Sequence, residues 1–358
     1  GFGRSVDINS AGTRVVVGSW NDDTGTGEPG AAWVYSYSNG SWTLDTVSEV
    51  STGRIQASNA GNGDKFGNSV AMSGDGTRIT VGAIHEDAAD NSVTSAGSAY
   101  IYTYSGSSWG SEKIIRALDA STGGNAEFGW NVAMNNDGTK VVVGAAFHDT
   151  GGGDIGAAYV FTYNSSGDSW SQQEKIQSSD KVAGDRFGYS VDINSDGTKI
   201  VVGADNQDTG GSAAGAAYVY TYNNGSWYDS GNNEQKIQAS DKRLNTEFGA
   251  SASFNTDGTR VIVGARYEDE GSTNSGAAYI FAYDGSNWNE VVKLKASDGA
   301  TSDHFGNSVA MSGDGKRVVV GAENDDDPPG STSGSVYVYD RDTTHHLMTD
   351  LKLQSNTW

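Results

Sequence analysis

The sequence predicts an all-β chain folded as a β-propeller of six four-stranded blades (seven if a unit is missing from this chain). Three observations carry that reading. The dipeptide Phe-Gly recurs at Phe2, Phe66, Phe128, Phe187, Phe248 and Phe305, at spacings of 64, 62, 59, 61 and 57 residues. Self-similarity at such a period is the signature of a stacked repeat architecture. Each period holds four short β-branched and aromatic segments, and no stretch sustains helical periodicity. A sheet this small cannot bury both faces alone, so the units must stack around an axis. One domain, 1–358, then consists of repeat units 1–65, 66–127, 128–186, 187–247, 248–304 and 305–358.

Within a unit the elements follow in order. The first strand is of the Ser-Val-Ala-Met kind (69–72), the second Lys-Val-Val-Val-Gly (140–144), the third Ala-Tyr-Val-Tyr-Thr-Tyr (217–222) and the fourth Glu-Lys-Ile-Gln-Ser-Ser (174–179). The third shows the clearest alternation: Tyr100, Tyr102 and Tyr104 share one face, Ile101 and Thr103 the other. A tight hairpin joins the first two strands, as in Asn194-Ser195-Asp196-Gly197-Thr198, where Gly is free to take positive φ. The third and fourth are joined by a short turn, after which Trp42, Trp109, Trp170, Trp227 or Trp288 opens the fourth strand. The other two connections are longer. The Phe of each Phe-Gly pair is expected between blades, with its Gly at a tight backbone approach.

These motifs, in register over all six units, resemble the FG-GAP repeat family: the blades of integrin α-subunit propellers and of many bacterial and algal surface proteins. The units read Val-Gly-Ala, or Val-Gly-Ser at Ser19, where the integrin triplet carries Pro. The family's best-known members have seven blades. The resemblance implies extracellular or cell-surface work such as adhesion, glycan binding or protein docking, through the face that carries the long loops. The integrin-type calcium loop is approached by Asp192, Asn194, Asp196 and Gly197, but its ninth position is Ile200, already inside the second strand. Other units have Ala71, Ala133, Ser253 and Ala310 at its first position. Too few oxygen ligands remain, so the hairpin reads as a plain turn.

Composition sets outer bounds. Apolar residues are 35%, Gly 50 and Pro 3, with no Gly at every third position, which excludes collagen. No apolar run approaches a membrane-spanning helix. The 36 aromatic residues give a disordered chain no support. Without Cys there is no disulfide, thiolate metal site or Cys nucleophile. The chain opens at Gly-Phe-Gly with no secretory leader, so a secreted protein would here be a mature or trimmed form.

Charge points to function. With 45 acids against 23 bases the net charge is -22, which repels nucleic acid. Strand direction places both long connections of every blade on one face. Their 26 acids and six bases carry 20 of the 22 units of net charge. Asp23, Asp87, Asp149, Asp208, Asp269 and Asp326 stand at one position in all six units, five residues past the Gly of Val-Gly-Ala. They read as Asx-turn caps that fix the loop. Alternatively they form a carboxylate ring that binds divalent cations, calcium foremost, although no cofactor is required. At the end of the fourth strand, Asn59, Asp119, Asp180, Asp241, Asp298 and Asn356 also repeat. Trp20, which breaks the repeat pattern, together with Asp22, Glu86, Glu268 and Asp325, makes a candidate ligand surface. Asp7 and Asp192, on the first strands of units 1 and 4, could line a central channel or bond neighbouring backbone.

The five histidines share no repeat position, and no helical zinc motif, nucleophile elbow or phosphate loop is present. The expected function is therefore a non-catalytic extracellular binding module that docks a protein or carbohydrate on its acidic face. A structural building block of a larger chain or surface assembly is the alternative, and a polysaccharide-active enzyme the next.

Overall fold

A computed structural model describes the chain apart from residues 23–26, 28, 49–52, 88–92, 120–124, 150–152, 209–211, 228–232, 271, 327–332, 342–347 and 355–358. The fold is a six-bladed β-propeller, with no helix among the described residues. By compactness the chain divides into two units, Gly1–Gln177 and Ser178–Trp358, each carrying three blades.

In the first unit, blade 1 holds β1 (Phe2–Ile8), β2 (Arg14–Ser19), β3 (Ala31–Ser38) and a fourth strand split into β4 (Ser41–Leu44) and β5 (Arg54–Ile55). Blade 2 holds β6 (Phe66–Met72), β7 (Arg78–Ala83), β8 (Ser98–Tyr104) and β9 (Trp109–Ile115). Blade 3 holds β10 (Val132–Met134), β11 (Lys140–Ala145), β12 (Ala157–Asn164) and β13 (Ser169–Ile176). In the second unit, blade 4 holds β14 (Phe187–Ile193), β15 (Lys199–Ala204), β16 (Ala216–Thr221) and β17 (Glu234–Ile237). Blade 5 holds β18 (Phe248–Phe254), β19 (Arg260–Ala265), β20 (Ala277–Tyr283) and β21 (Trp288–Leu294). Blade 6 holds β22 (Phe305–Met311), β23 (Arg317–Ala322), β24 (Ser335–Arg341) and β25 (Met348–Gln354). Every sheet is antiparallel in chain order.

Three boundaries differ from the sequence expectation. The first strand begins at the Phe, because Phe66 pairs with Ala83 across a bulge before Val70 meets Val81. Gly67 makes that bulge at φ +87°, and its carbonyl is so close to Gly18 of the preceding sheet that a Cβ on Gly18 would clash with it. The fourth strand ends earlier, at Ile176 in β13. The Ala-Ser segment beyond it leaves its own sheet for the next one: Ser58 donates its N–H and hydroxyl to Glu112, and Ser240 does the same to Glu290. In the fourth repeat Trp227 precedes β17 instead of opening it.

The cores lie between consecutive sheets. Val16 and Val34 of blade 1 pack with Phe66, Val70 and Met72 of blade 2, and the pattern repeats within each unit. Phe66, Phe128, Phe248 and Phe305 are essentially buried, each edge-on to the first Tyr of its own third strand. At the hairpin end, Arg14 donates to the Gly76 carbonyl and Arg78 to that of Gly138. Each guanidinium lies over a Tyr ring, 3.6 and 3.9 Å from its centre, and so ties one blade to the next. At the other end the two long connections meet: His85 N–H donates to the Asp64 carbonyl (3.1 Å), and Tyr267 N–H to that of Thr246 (3.2 Å).

Candidate functional site

The recurring loop Asp is built into the loop it occupies. Asp87 Oδ1 accepts the N–H of Ser95 (3.1 Å), Asp149 that of Gly153 (3.0 Å), Asp208 that of Ala213 (2.7 Å) and Asp269 that of Asn274 (2.6 Å). Ser95, Ala213 and Asn274 sit at positive φ, so the cap holds a backbone turn that is otherwise disfavoured. Asp326 is exposed. Asp23 lies outside the described residues.

The Asx at the end of the fourth strand has a different job. The first Tyr of the next blade's third strand donates its hydroxyl to it: Tyr100 to Asn59 (3.0 Å), Tyr159 to Asp119 (3.0 Å), Tyr218 to Asp180 (2.7 Å), Tyr279 to Asp241 (3.0 Å) and Tyr337 to Asp298 (2.7 Å). A lysine from that blade's fourth strand closes the latch, Lys175 to Asp119 (2.6 Å), Lys236 to Asp180 (2.7 Å) and Lys293 to Asp241 (2.5 Å). Burial raises the pKa of these three Asp, but the Lys and Tyr bonds outweigh it and leave each carboxyl below its ordinary value. Burial and the adjacent carboxylate push the Tyr hydroxyls up. The sequence reading noticed the Asx and missed its partners, although the first Tyr of the third strand recurs and Lys175, Lys236 and Lys293 each stand one residue before Ile176, Ile237 and Leu294.

The candidate ligand acids are mostly interior. Glu86, Glu268 and Asp325 are only 5%, 1% and 4% exposed. Glu86 pairs with Arg116 (3.1 Å) and accepts from Asn59; Asp325 accepts from Tyr337 (2.7 Å). Asp22 faces Arg54 at 3.5 Å, and Trp20 carries the Arg4 guanidinium 4.8 Å from its ring centre. Among the described residues, the group of three acids whose ligand atoms lie within 4.8 Å of one another is Asp241, Glu268 and Glu270. Lys293 Nζ sits among them, at 2.5 Å from Asp241, 3.1 Å from Glu268 and 2.6 Å from Glu270. An ammonium therefore stands where a metal ion would, and a divalent cation there would have to displace it.

Asp7 and Asp192 bond backbone. Asp7 accepts the N–H of Ile8 (2.8 Å) and of Met72 on the next first strand (2.7 Å); Asp192 does the same with Ile193 (2.8 Å) and Phe254 (2.7 Å). Burial nevertheless pushes Asp7 up to about 6. Two further acids escaped notice as special. Asp205 is fully buried with neither carboxylate oxygen hydrogen-bonded, and Arg186 is 3.8 Å away. Burial and the nearby Glu247 push its pKa up to about 7. Burial and Asp154 likewise push Glu127, 3.8 Å from His85, up to about 7. Their loops look like all the others in sequence, because burial is a tertiary property.

The sequence profile of the FG-GAP repeat matches residues 50–102, 109–161, 170–220, 232–281 and 288–339. The chain belongs to the FG-GAP repeat family. Each matched repeat starts near a fourth strand and ends on the third strand of the next blade, so the Tyr and Asx of one latch fall within one repeat although they come from two sheets. No curated protein matches the chain in sequence. Among solved structures, the chain is similar to a putative 6-phosphogluconolactonase from Bacteroides fragilis, at 13% identity and TM-score 0.61, covering 98% of this chain and 84% of that one. It is also similar to a periplasmic gluconolactonase from Pseudomonas aeruginosa, at 14% identity and TM-score 0.62, covering 98% and 85%. At such identity the likeness is one of fold alone. Among the described residues of the FG-GAP protein, no helix is long and apolar enough to cross a membrane.

Proposed function

We propose that this FG-GAP propeller is a non-catalytic extracellular or cell-surface binding module that docks a protein or carbohydrate through its acidic long-loop end. One observation carries the reading: Asx caps and Tyr-Asx latches tie the described ends of the loops there, and carboxylates such as Asp154 and Glu323 are exposed. A surface of one charge sign with tied loop ends suits recognition, since its field steers a cationic ligand and its carboxylates can accept hydrogen bonds from a polyhydroxylated one. Calcium assistance belongs to this proposal as an option, with the exposed Asp326 as its entry point.

The test is a glycan array together with immobilised basic peptides, repeated with added salt and with chelator. Binding that weakens with salt, and weakens further in an Asp154→Asn, Glu323→Gln double variant, supports the reading. Hydrolysis of a gluconolactone or a polysaccharide, abolished by Glu127→Gln, would replace it with an enzyme. Absence of any ligand combined with a fixed assembly partner would favour the structural building block.

A further inference from the structure

In the second unit, the two long connections of each blade face one another through a fixed pair of positions. One is the residue before Phe-Gly, held at positive φ in Arg186 (56°), Glu247 (52°) and His304 (58°). The other is the residue after Val-Gly-Ala: Asp205, Arg266 and Glu323. Each pair joins a base to an acid, in an order that reverses from one blade to the next. In blade 5 the pair is closed: Arg266 gives Nε and Nη2 to Glu247 at 2.7 and 2.6 Å. In blade 6 His304 Nδ1 stands 3.4 Å from Glu323. Blades 2 and 3 hold Lys65 with Ile84 and Glu127 with Ala146 at these positions, which cannot pair in this way.

Blade 4 has the pair and leaves it ajar. Asp205 is fully buried, and neither of its carboxylate oxygens accepts a hydrogen bond among the described residues. The Arg186 guanidinium is 3.8 Å away, about 1 Å beyond the length of a charge-assisted bond. The Arg186 side chain is 33% exposed, so it has room to travel. The other charged groups facing Asp205 are Glu247 and Arg266 of blade 5, with Tyr189 beneath the Arg266 guanidinium at 5.5 Å. Arg266 is held twice by Glu247, so Arg186 is the base that can approach. A carboxylate in such a place draws a guanidinium in, whereas the neutral acid does not.

We propose that Asp205 and Arg186 form a proton-operated clasp between the two long loops of blade 4. It stays open while Asp205 carries its proton, and it closes when Asp205 loses the proton and Arg186 moves in to bond it as Arg266 bonds Glu247. Burial and the nearby Glu247 push Asp205 up to about 7, which sets the change in the neutral range. Closing ties the residue before Phe187 to the first residue of the acidic loop and withdraws a cation from solvent. The long-loop end therefore becomes more negative as pH rises. Its effect on a ligand rests on the docking reading above; the clasp itself does not.

The experiment is carbon-13 NMR of the whole chain labelled at the Asp carboxyl carbons and titrated from pH 5 to 9. The signal missing from Asp205→Asn belongs to Asp205, and its midpoint should fall at about 7. Arg186→Gln removes the closing partner and should move that midpoint up by about one pH unit or more, while Arg186→Lys, which keeps the charge, should move it less. Crystals grown at pH 5.5 and 8.5 read the movement directly. The separation of Arg186 from Asp205 should shorten to about 2.8 Å at the higher pH, and Asp205→Asn should show no such change. An Asp205 midpoint near the ordinary value of about 4, a midpoint indifferent to Arg186→Gln, or equal separations at the two pH values overturns the clasp. If Arg186→Gln fails to accumulate, the parent and Asp205→Asn crystals decide alone. A protein that binds nothing on the arrays loses the docking reading and leaves all of these readouts untouched.

Discussion

Two acid clusters in neighbouring repeats of the second unit have similar sequences and opposite electrostatics. In the fifth repeat, Asp241, Glu268 and Glu270 surround Lys293, and Arg243 approaches Glu268 to 3.7 Å. The Lys293 and Lys295 bonds hold Glu270 well below its usual range, and its acidic neighbours push Lys293 up despite burial. In the fourth repeat, Asp205 is equally deep; the fourth-strand lysine there, Lys236, pairs with its latch residue Asp180 as Lys293 does with Asp241, but no ion pair joins it to Asp205 among the described residues. Asp205 has the Arg186 guanidinium at 3.8 Å, and burial with the nearby Glu247 outweighs the Arg186 and Arg266 charges and raises it to about 7. An acidic loop therefore has no fixed electrostatic character; the base that the adjacent strand delivers decides whether a carboxylate is a fastener or a liability.

Removing the base should turn the first cluster into the second. Lys293→Ala leaves three carboxylates around an empty centre and should cost about 3–5 kcal/mol in denaturant unfolding. Part of that loss should return on adding calcium, and none should return for the parent protein. A parent protein that is also stabilised by calcium would show that Lys293 does not exclude the ion.

The converse change should relieve the second cluster. A carboxyl whose folded pKa is raised keeps its proton longer in the folded state, so its contribution to stability falls as pH rises from about 4 to about 7. Asp205→Asn should thus gain about 1–3 kcal/mol at pH 7.5 and nothing at pH 4. The latch carboxylates have the opposite sign. Their pKa values are depressed, so Asp119, Asp180 and Asp241 stabilise above the ordinary Asp value and lose that contribution as pH falls through their lowered values. Thermal midpoints of parent and Asp205→Asn across pH 3–8 separate the two.

Smaller effects locate the rest. Tyr279→Phe removes a buried hydroxyl from Asp241 and should cost about 1–2 kcal/mol. Asp269→Ala removes only a loop cap and should cost about 0.5–1 kcal/mol, read best as faster amide exchange at Asn274. An Asp269 effect larger than that of Tyr279 would reverse the ranking of cap and latch.

Much of the fold was legible because each repeat restates it. Phe-Gly, Asn-x-Asp-Gly and Gly-Ala-Ala-Tyr are local devices, a bulge, a hairpin and a buried strand; Phe-Gly stands in all six units and the other two in three, with close variants in register in the rest, which leaves one architecture. The loop caps were legible for the same reason, since Asp208 reaches Ala213 within its own loop. The latches were half legible: Asp241 stood out as a repeated acid, but its Tyr279 and Lys293 partners lie 38 and 52 residues away, and only strand pairing brings them together.

The repeat period, the strand order and the sign of the charge were thus set by the sequence itself, through steric and turn preferences that act within a few residues. Which acids are spent as fasteners, and which one, Asp205, is buried without a hydrogen bond to either carboxylate oxygen, were decided by the tertiary structure. Desolvation and charge pairing depend on what lies across the sheet, and that distance is not written along the chain.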